Sequence, residues 1–252
     1  MLTAMRRSRE ELLPHSGPVS GEQAAGAGKS GMLRAAIFGV NDGLVSNAAL
    51  IMGFAGAAQS RSVILLAGIS GLLAGAFSMG AGEYISMRIQ RESLERMLHL
   101  EAHELHGDLE TEREELAEIY VNKGLPPELA ISVATELMKD PKMALDTHAR
   151  EELGIDPQEG LGSPWGASWS SFLTFSLGAL VPLAPFLFVG GSTGTIMSAT
   201  VTGLALLGVG GFTSRFTGRP MLLSAVRMFA IGMTAAVITY LIGTLLGVSV
   251  VG

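Results

Sequence analysis

Two carboxylates and one thioether stand inside apolar surroundings where no charge is expected. Asp42 sits in Gly39-Val-Asn-Asp-Gly-Leu-Val-Ser46 and Glu83 in Met79-Gly-Ala-Gly-Glu-Tyr84, each within a long hydrophobic run. A charge at bilayer depth costs about 2.5–3.5 kcal/mol on insertion scales, so such a residue is a functional candidate by default. Met79 and Glu83 are four residues apart and share one face of a helix. Carboxylates alone suit Mg²⁺, Ca²⁺ or Mn²⁺, and a thioether adds tolerance for softer first-row ions. Asp42, Met79 and Glu83 therefore make a candidate translocation path for Fe²⁺ or a similar ion. A desolvated carboxylate there also takes up protons, in competition with the metal.

A second set of ligands is denser. Of 23 Asp and Glu, 18 lie between Arg88 and Gly160, against 8 Lys and Arg, a local charge of −10. If one helix runs through this stretch, Glu101, Glu104, Asp108, Glu112 and Glu115 share an arc of about 80° at 100° per residue. Leu94, Met97, Leu98, Leu105, Leu116 and Ile119 fall on or beside the same arc. An ordinary solvated acidic face would lie across the helix from its apolar stripe. Carboxylates turned into an interface need cations to offset their repulsion and desolvation. His99, His103 and His106 fall on the opposite, solvent side and are not expected to be principal ligands. Pro126-Pro127 and Asp140-Pro141 start two short helices, 128–138 and 142–153, the second ended by Gly154. On the last helix His148 and Glu152 are four apart, with Met143 upstream, and any of them could close a metal site. Neither the Glu-x-x-His pairs of a di-iron centre nor His-Glu-x-x-His occurs, so no enzyme is expected.

The elements that position these residues follow from composition and patterning. The chain has 252 residues, 48% hydrophobic and 16% charged, with 33 Gly, 13 Met and no Cys. Soluble domains average about 25% charged residues. Collagen, disorder and a disulfide scaffold are excluded, and so acidic a surface excludes nucleic acid as partner. Five stretches, 35–58, 63–87, 172–189, 195–212 and 221–251, reach or approach the roughly 20 apolar residues that a spanning helix needs. The expected fold is an all-α membrane protein: five transmembrane helices, with a three-helix cytosolic metal-binding domain inserted between spans two and three. Residues 1–34 read as a disordered cytosolic tail, 35–87 as spans one and two, 88–160 as the acidic helices, and 161–252 as spans three to five. With the N-terminus inside, 16 of the 17 Lys and Arg lie in or beside inward-facing segments and only Arg61 faces outward, which orients the chain N-terminus cytosolic and C-terminus on the opposite side. The pairs Gly39–Gly43 and Gly71–Gly75 allow helix backbones to approach closely. Pro182 and Pro185 are expected to kink or break the third span.

With these residues in view, the sequence resembles the vacuolar iron transporter family. The stretches that carry the likeness are Phe38-Gly-Val-Asn-Asp-Gly-Leu-Val-Ser46, Ala76-Phe-Ser-Met-Gly-Ala-Gly-Glu-Tyr-Ile-Ser86 and Asp146-Thr-His-Ala-Arg-Glu-Glu-Leu-Gly154. The resemblance implies a homodimer of five-span protomers that moves Fe²⁺, and often Mn²⁺ and other divalent ions, out of the cytosol against protons. It implies that Asp42 and Met79 line the pore. Glu101, Glu104, Glu112 and Glu115 match the family's 3-8-3 glutamate spacing, and Glu152 its glutamate on the third cytosolic helix. His148 stands about where that helix carries methionine in some members. Gly71 stands where some members have an acid, leaving Glu83 as the remaining proton carrier. The expected protein is a proton-coupled exporter of ferrous iron and other divalent metals in the cell membrane. The ions are its bound substrate, with no cofactor. The competing reading is a membrane-anchored divalent-metal sensor or storage adaptor without transport. The intramembrane Asp42 favours the first, because a sensor needs no acid at that depth.

Overall fold

Long apolar runs have no hydrogen-bonding solvent in a membrane, so their backbone groups must be satisfied within the segment, as helices do. The computed structural model describes residues 27–154, 156 and 162–251, and every regular element among them is helical. In chain order these are α1 (Ala27–Gly56), α2 (Arg61–Gly107), α3 (Leu109–Asn122), α4 (Pro127–Leu137) and α5 (Pro141–Glu151), then α6 (Pro164–Leu183), a 3₁₀ turn (Ala184–Leu187), α7 (Gly191–Thr217) and α8 (Met221–Val251). Among the described residues five helices are long and apolar enough to cross a membrane: Met32–Gly56, Arg61–Gly107, Pro164–Leu187, Gly191–Thr217 and Met221–Gly247. They match the five expected spans, and the chain is a multi-pass membrane protein.

Two compact units result. The first holds Ser30–Arg88 and Ser163–Gly252, and the second holds Ile89–Gly162. Helix α2 runs unbroken for 47 residues, more than twice what a bilayer needs.

In the first unit, missing side chains set the helix spacing. A Cβ on Gly43 would lie 2.2 Å from Phe175 O, and one on Gly178 would lie 2.3 Å from Val40 O. Helices α1 and α6 therefore cross backbone to backbone. Gly243 does the same for α8 against Gly53, at 1.9 Å. Of the small-residue pairs read from the sequence, Gly39–Gly43 makes such a backbone contact, whereas Gly71 and Gly75 face side chains. Around these crossings Ile51, Ile64, Leu183 and Phe186 form one core cluster and Ala76, Phe175 and Ala179 another. Large residues such as Leu66, Leu173, Leu204 and Leu245 point outward and exposed, as a lipid-facing surface requires. The third span ends as its prolines dictate. α6 gives way after Leu183 to the 3₁₀ turn containing Pro185, and Ser198 Oγ donates to Pro182 O at 2.6 Å. Arg61 donates through Nε to Phe186 O at 2.7 Å and caps this turn.

In the second unit the core is small and alanine-rich: Leu105 from α2, Leu116 and Ala117 from α3, Ala130 and Ala134 from α4, then Met138 and Ala144. Pro127 and Pro141 open α4 and α5 at their first turns, where a proline costs no hydrogen bond. Asp140 caps α5, accepting from Lys142 N at 3.0 Å.

Two expectations are corrected. Helix α1 starts at Ala27, so residues 27–34 are helical and not tail, because no proline stops the spanning helix from propagating backward. The remainder of the expected tail, 1–26, lies outside the described residues. Second, no single helix carries residues 101–115. α2 stops at Gly107, and Asp108 starts α3 as its N-cap. The shared arc of five acids, which assumed one continuous helix, does not exist.

Candidate metal centres

The break at Gly107–Asp108 builds the denser site. Asp108 accepts from Thr111 N at 3.3 Å and from Thr111 Oγ1 at 2.7 Å. With this cap the chain turns, and Glu112 in the first turns of α3 faces Glu101 near the end of α2. Helix α5 adds His148 and, at its C-cap, Glu152. The four residues offer ligand atoms that all lie within 4.8 Å of one another. His148 Nδ1 is 3.1 Å from Glu101 Oε1, 3.7 Å from Glu112 Oε2 and 3.6 Å from Glu152 Oε2. Three carboxylate oxygens thus converge on a nitrogen that can offer at most one proton. Among the described residues neither ring nitrogen of His148 finds a partner in hydrogen-bond geometry, and neither does Glu112 Oε2.

Burial makes this arrangement costly without a cation. His148 is 0% exposed, Glu101 1% and Glu112 6%. The Glu112 carboxyl is pushed up to about 7, first by burial and then by the charges of Glu101 and Glu115, with His148 opposing. For His148 burial alone would favour the neutral ring. Its contacts with Glu101 and Glu152, and the charges of Glu101 and Glu112, outweigh burial and raise it to about 9. Buried charges are tolerated when paired or when they coordinate metal. Three carboxylates and one imidazole are a donor set for a first-row divalent ion.

Of the seven residues read from the sequence for this site, the structure brings together Glu101, Glu112, His148 and Glu152. Glu104 and Glu115 lie half-buried outside the four-residue group. Asp108 is exposed at the N-cap of α3 outside the four-residue group, each of its oxygens accepting from Thr111. Met143 is 50% exposed, whereas His148 on the same helix is fully buried. His99, His103 and His106 are exposed, and His106 Nδ1 sits 2.6 Å from Ala102 O on its own helix.

The first unit holds a different arrangement. Asp42 from α1 and Met79 from α2 line one cleft of about 480 Å³, together with Ser46, Asn47, Gly71 and Gly75. The two glycines let side chains pack close to α2, Leu50 and Asn47 against Gly71 and Phe175 against Gly75. Phe175 closes one wall, its ring sitting where a Gly75 side chain would be. Glu83 is half-buried one turn further along α2 and does not line this cleft. A reading built on formal charge omits Asn47, which is 2% exposed in the same cleft. The one signal for it in the sequence is an amide within an apolar run.

Residues 33–244 match the VIT family. The chain belongs to that family. Vacuolar iron transporter 1 of Oryza sativa subsp. japonica is 34% identical over 213 residues, covering 83% of this chain and 83% of the relative. The vacuolar iron transporter of Acanthamoeba castellanii is 36% identical over 219 residues, 86% of this chain and 80% of the relative. That of Toxoplasma gondii is 30% identical over 226 residues, 86% and 75%. The VIT family is one of transporters, and its member here is not an enzyme. The VIT match includes both α1 and α2, which carry Asp42 and Met79, and α3 to α5.

Proposed function

We propose that this protein exports ferrous iron, and manganese or similar divalent ions, from the cytosol across its membrane in exchange for protons. The observation that carries the proposal is Asp42 and Met79, one carboxylate and one thioether from two spans, on a single cleft among membrane helices. A lone acid at that depth has no packing role that an apolar residue would not fill better. Helices α3 to α5 and the end of α2 form the cytosolic metal-binding domain, in which Glu101, Glu112, His148 and Glu152 collect the ion, with Glu104 and Glu115 raising the local negative charge. Asp42 and Met79 pass the ion on, and protonation of Asp42 or Glu83 releases it. The protein works as a homodimer whose pore lies between the first two spans of both protomers, N-termini in the cytosol and C-termini opposite. Relatives named as vacuolar iron transporters support the cargo. Cell and vacuolar membranes both bound the cytosol, so the direction is the same in either.

The sensor or storage-adaptor reading draws on the buried Glu–Glu–His–Glu group, which would serve a sensor equally well. Purified protein in proteoliposomes, given Fe²⁺ on the cytosolic side and an imposed pH gradient, separates the two. Export predicts metal flux that grows with the proton gradient. Binding without flux would return the protein to the sensor reading.

A further inference from the structure

Asn47 has one half of its amide accounted for and the other half not. Its Nδ2 donates to Ala179 O at 2.7 Å. A carbonyl can only accept, so this bond fixes the amide with nitrogen toward α6 and Oδ1 turned away. Oδ1 is buried and has no hydrogen-bond partner among the described residues. Buried polar atoms without partners are rare, and each calls for an explanation. Here the surroundings supply one. Asn47 and Gly71 both line the cleft that holds Asp42 and Met79. A Cβ on Gly71 would stand 3.0 Å from Asn47 Oδ1 and 2.4 Å from Leu50 Cδ2. The oxygen therefore lies against α2 at a residue without a side chain, with only the end of Leu50 beside it.

The order along both helices agrees. Asn47 follows Asp42 by five residues, about 7.5 Å along the axis. Gly71 precedes Met79 on the helix that runs back. The cleft thus has two levels, one with Asp42 and Met79, the next with Asn47 and Gly71. Resting on the transport reading above, we propose that Asn47 Oδ1 is a second ion ligand on the route, a neutral oxygen that takes a divalent ion after Asp42. Amide and backbone carbonyl oxygens ligate such ions. A neutral oxygen replaces part of the hydration shell without holding the ion as a second carboxylate would, and conduction needs binding that favours entry yet permits exit. A structural hydrogen bond between helices would account for Nδ2 alone.

The test is Fe²⁺ and Mn²⁺ flux by the full chain in proteoliposomes, comparing the parent with Asn47→Leu and Gly71→Ala. Asn47→Leu removes the oxygen and also the bond to Ala179. Gly71→Ala keeps that bond and crowds Oδ1 with a methyl group, displacing only the flexible end of Leu50. Each is expected to lower flux at sub-saturating metal by about tenfold, the scale of one lost charge–dipole contact, with an unchanged elution volume from size exclusion. Asn47→Ser, which retains an oxygen, is expected to recover part of the loss. If Asn47→Leu does not fold, Gly71→Ala decides. Parent-level flux in either folded variant overturns the inference and leaves export standing. Absence of flux in the parent overturns export and this ligand with it.

Discussion

The two candidate sites share a carboxylate as donor and differ in number, partners and surroundings. The acidic unit puts three carboxylates and an imidazole within 4.8 Å of one another over an alanine-rich core. The membrane unit sets one carboxylate and one thioether on a cleft. Near water, the self-repulsion of the acidic group can be relieved by protons, and Glu112 and His148 are both shifted toward holding them. Within a bilayer each further carboxylate would have to be desolvated in every metal-free cycle. The difference teaches that a bilayer limits how many carboxylates one site can gather, a limit that a domain outside it escapes. On the proposed function, capture calls for many ligands and passage for few.

The largest expected effect breaks the comparison at its membrane end. Asp42→Ala should lower flux by about a hundredfold, the upper range for disturbing a metal site, while metal bound by the full-length protein at the acidic group remains. Surviving flux would mean that the cleft is not the route. Next, His148→Ala should weaken metal binding at the acidic group by about tenfold or more, measured by calorimetry on the whole protein. His148→Met should recover part of that affinity, with a preference moved toward softer ions.

A pH titration sharpens the acidic side of the comparison. The Glu112 carboxyl rises from an ordinary 4.5 to about 7 on folding, so its contribution to stability falls as pH rises through that window. The His148 imidazolium rises from 6.5 to about 9, so its contribution is complete below 6.5 and lost through about 9. Both slopes have one sign. The melting temperature of metal-free protein should therefore fall steadily from about pH 4.5 to about pH 9. Metal displaces the same protons, so apparent affinity should rise over that range. A flat thermal profile would contradict the buried-cluster geometry. The smallest effect is Asp108→Ala, which should cost about 1 kcal/mol of stability as a lost N-cap and leave metal affinity unchanged. A large loss of affinity there would return Asp108 to the ligands.

Much of the architecture was legible because its causes are local. Five apolar runs became five spans, Pro182 and Pro185 ended α6, and Asp140-Pro141 opened α5. Asp42 and Met79 were conspicuous as residues that a bilayer disfavours or seldom needs, and they share a cleft. The arc of five acids failed because helical phase was carried through Gly107-Asp108, where a glycine and a capping aspartate end one helix and start another. His148 was legible as a ligand that could close the site with Glu152, four residues on, but its meeting with Glu101 and Glu112 was not fixed, since their helices are far from its own in sequence. Asn47 escaped notice because an amide carries no formal charge, and its orientation depends on Ala179, 132 residues away.

Hydrophobic length, charge sign and helix-ending residues act within a turn or a span. The sequence by itself therefore determined the all-helical class, the number of spans and the concentration of acid between the second and third. Which carboxylates meet one imidazole depends on how α2, α3 and α5 pack over their shared core, and the placing of Asn47 depends on helix crossings set by close backbone contacts such as Gly43 with Phe175. Both kinds of contact join residues from separate helices, in the membrane unit more than a hundred positions apart, and only the packed tertiary structure decided them.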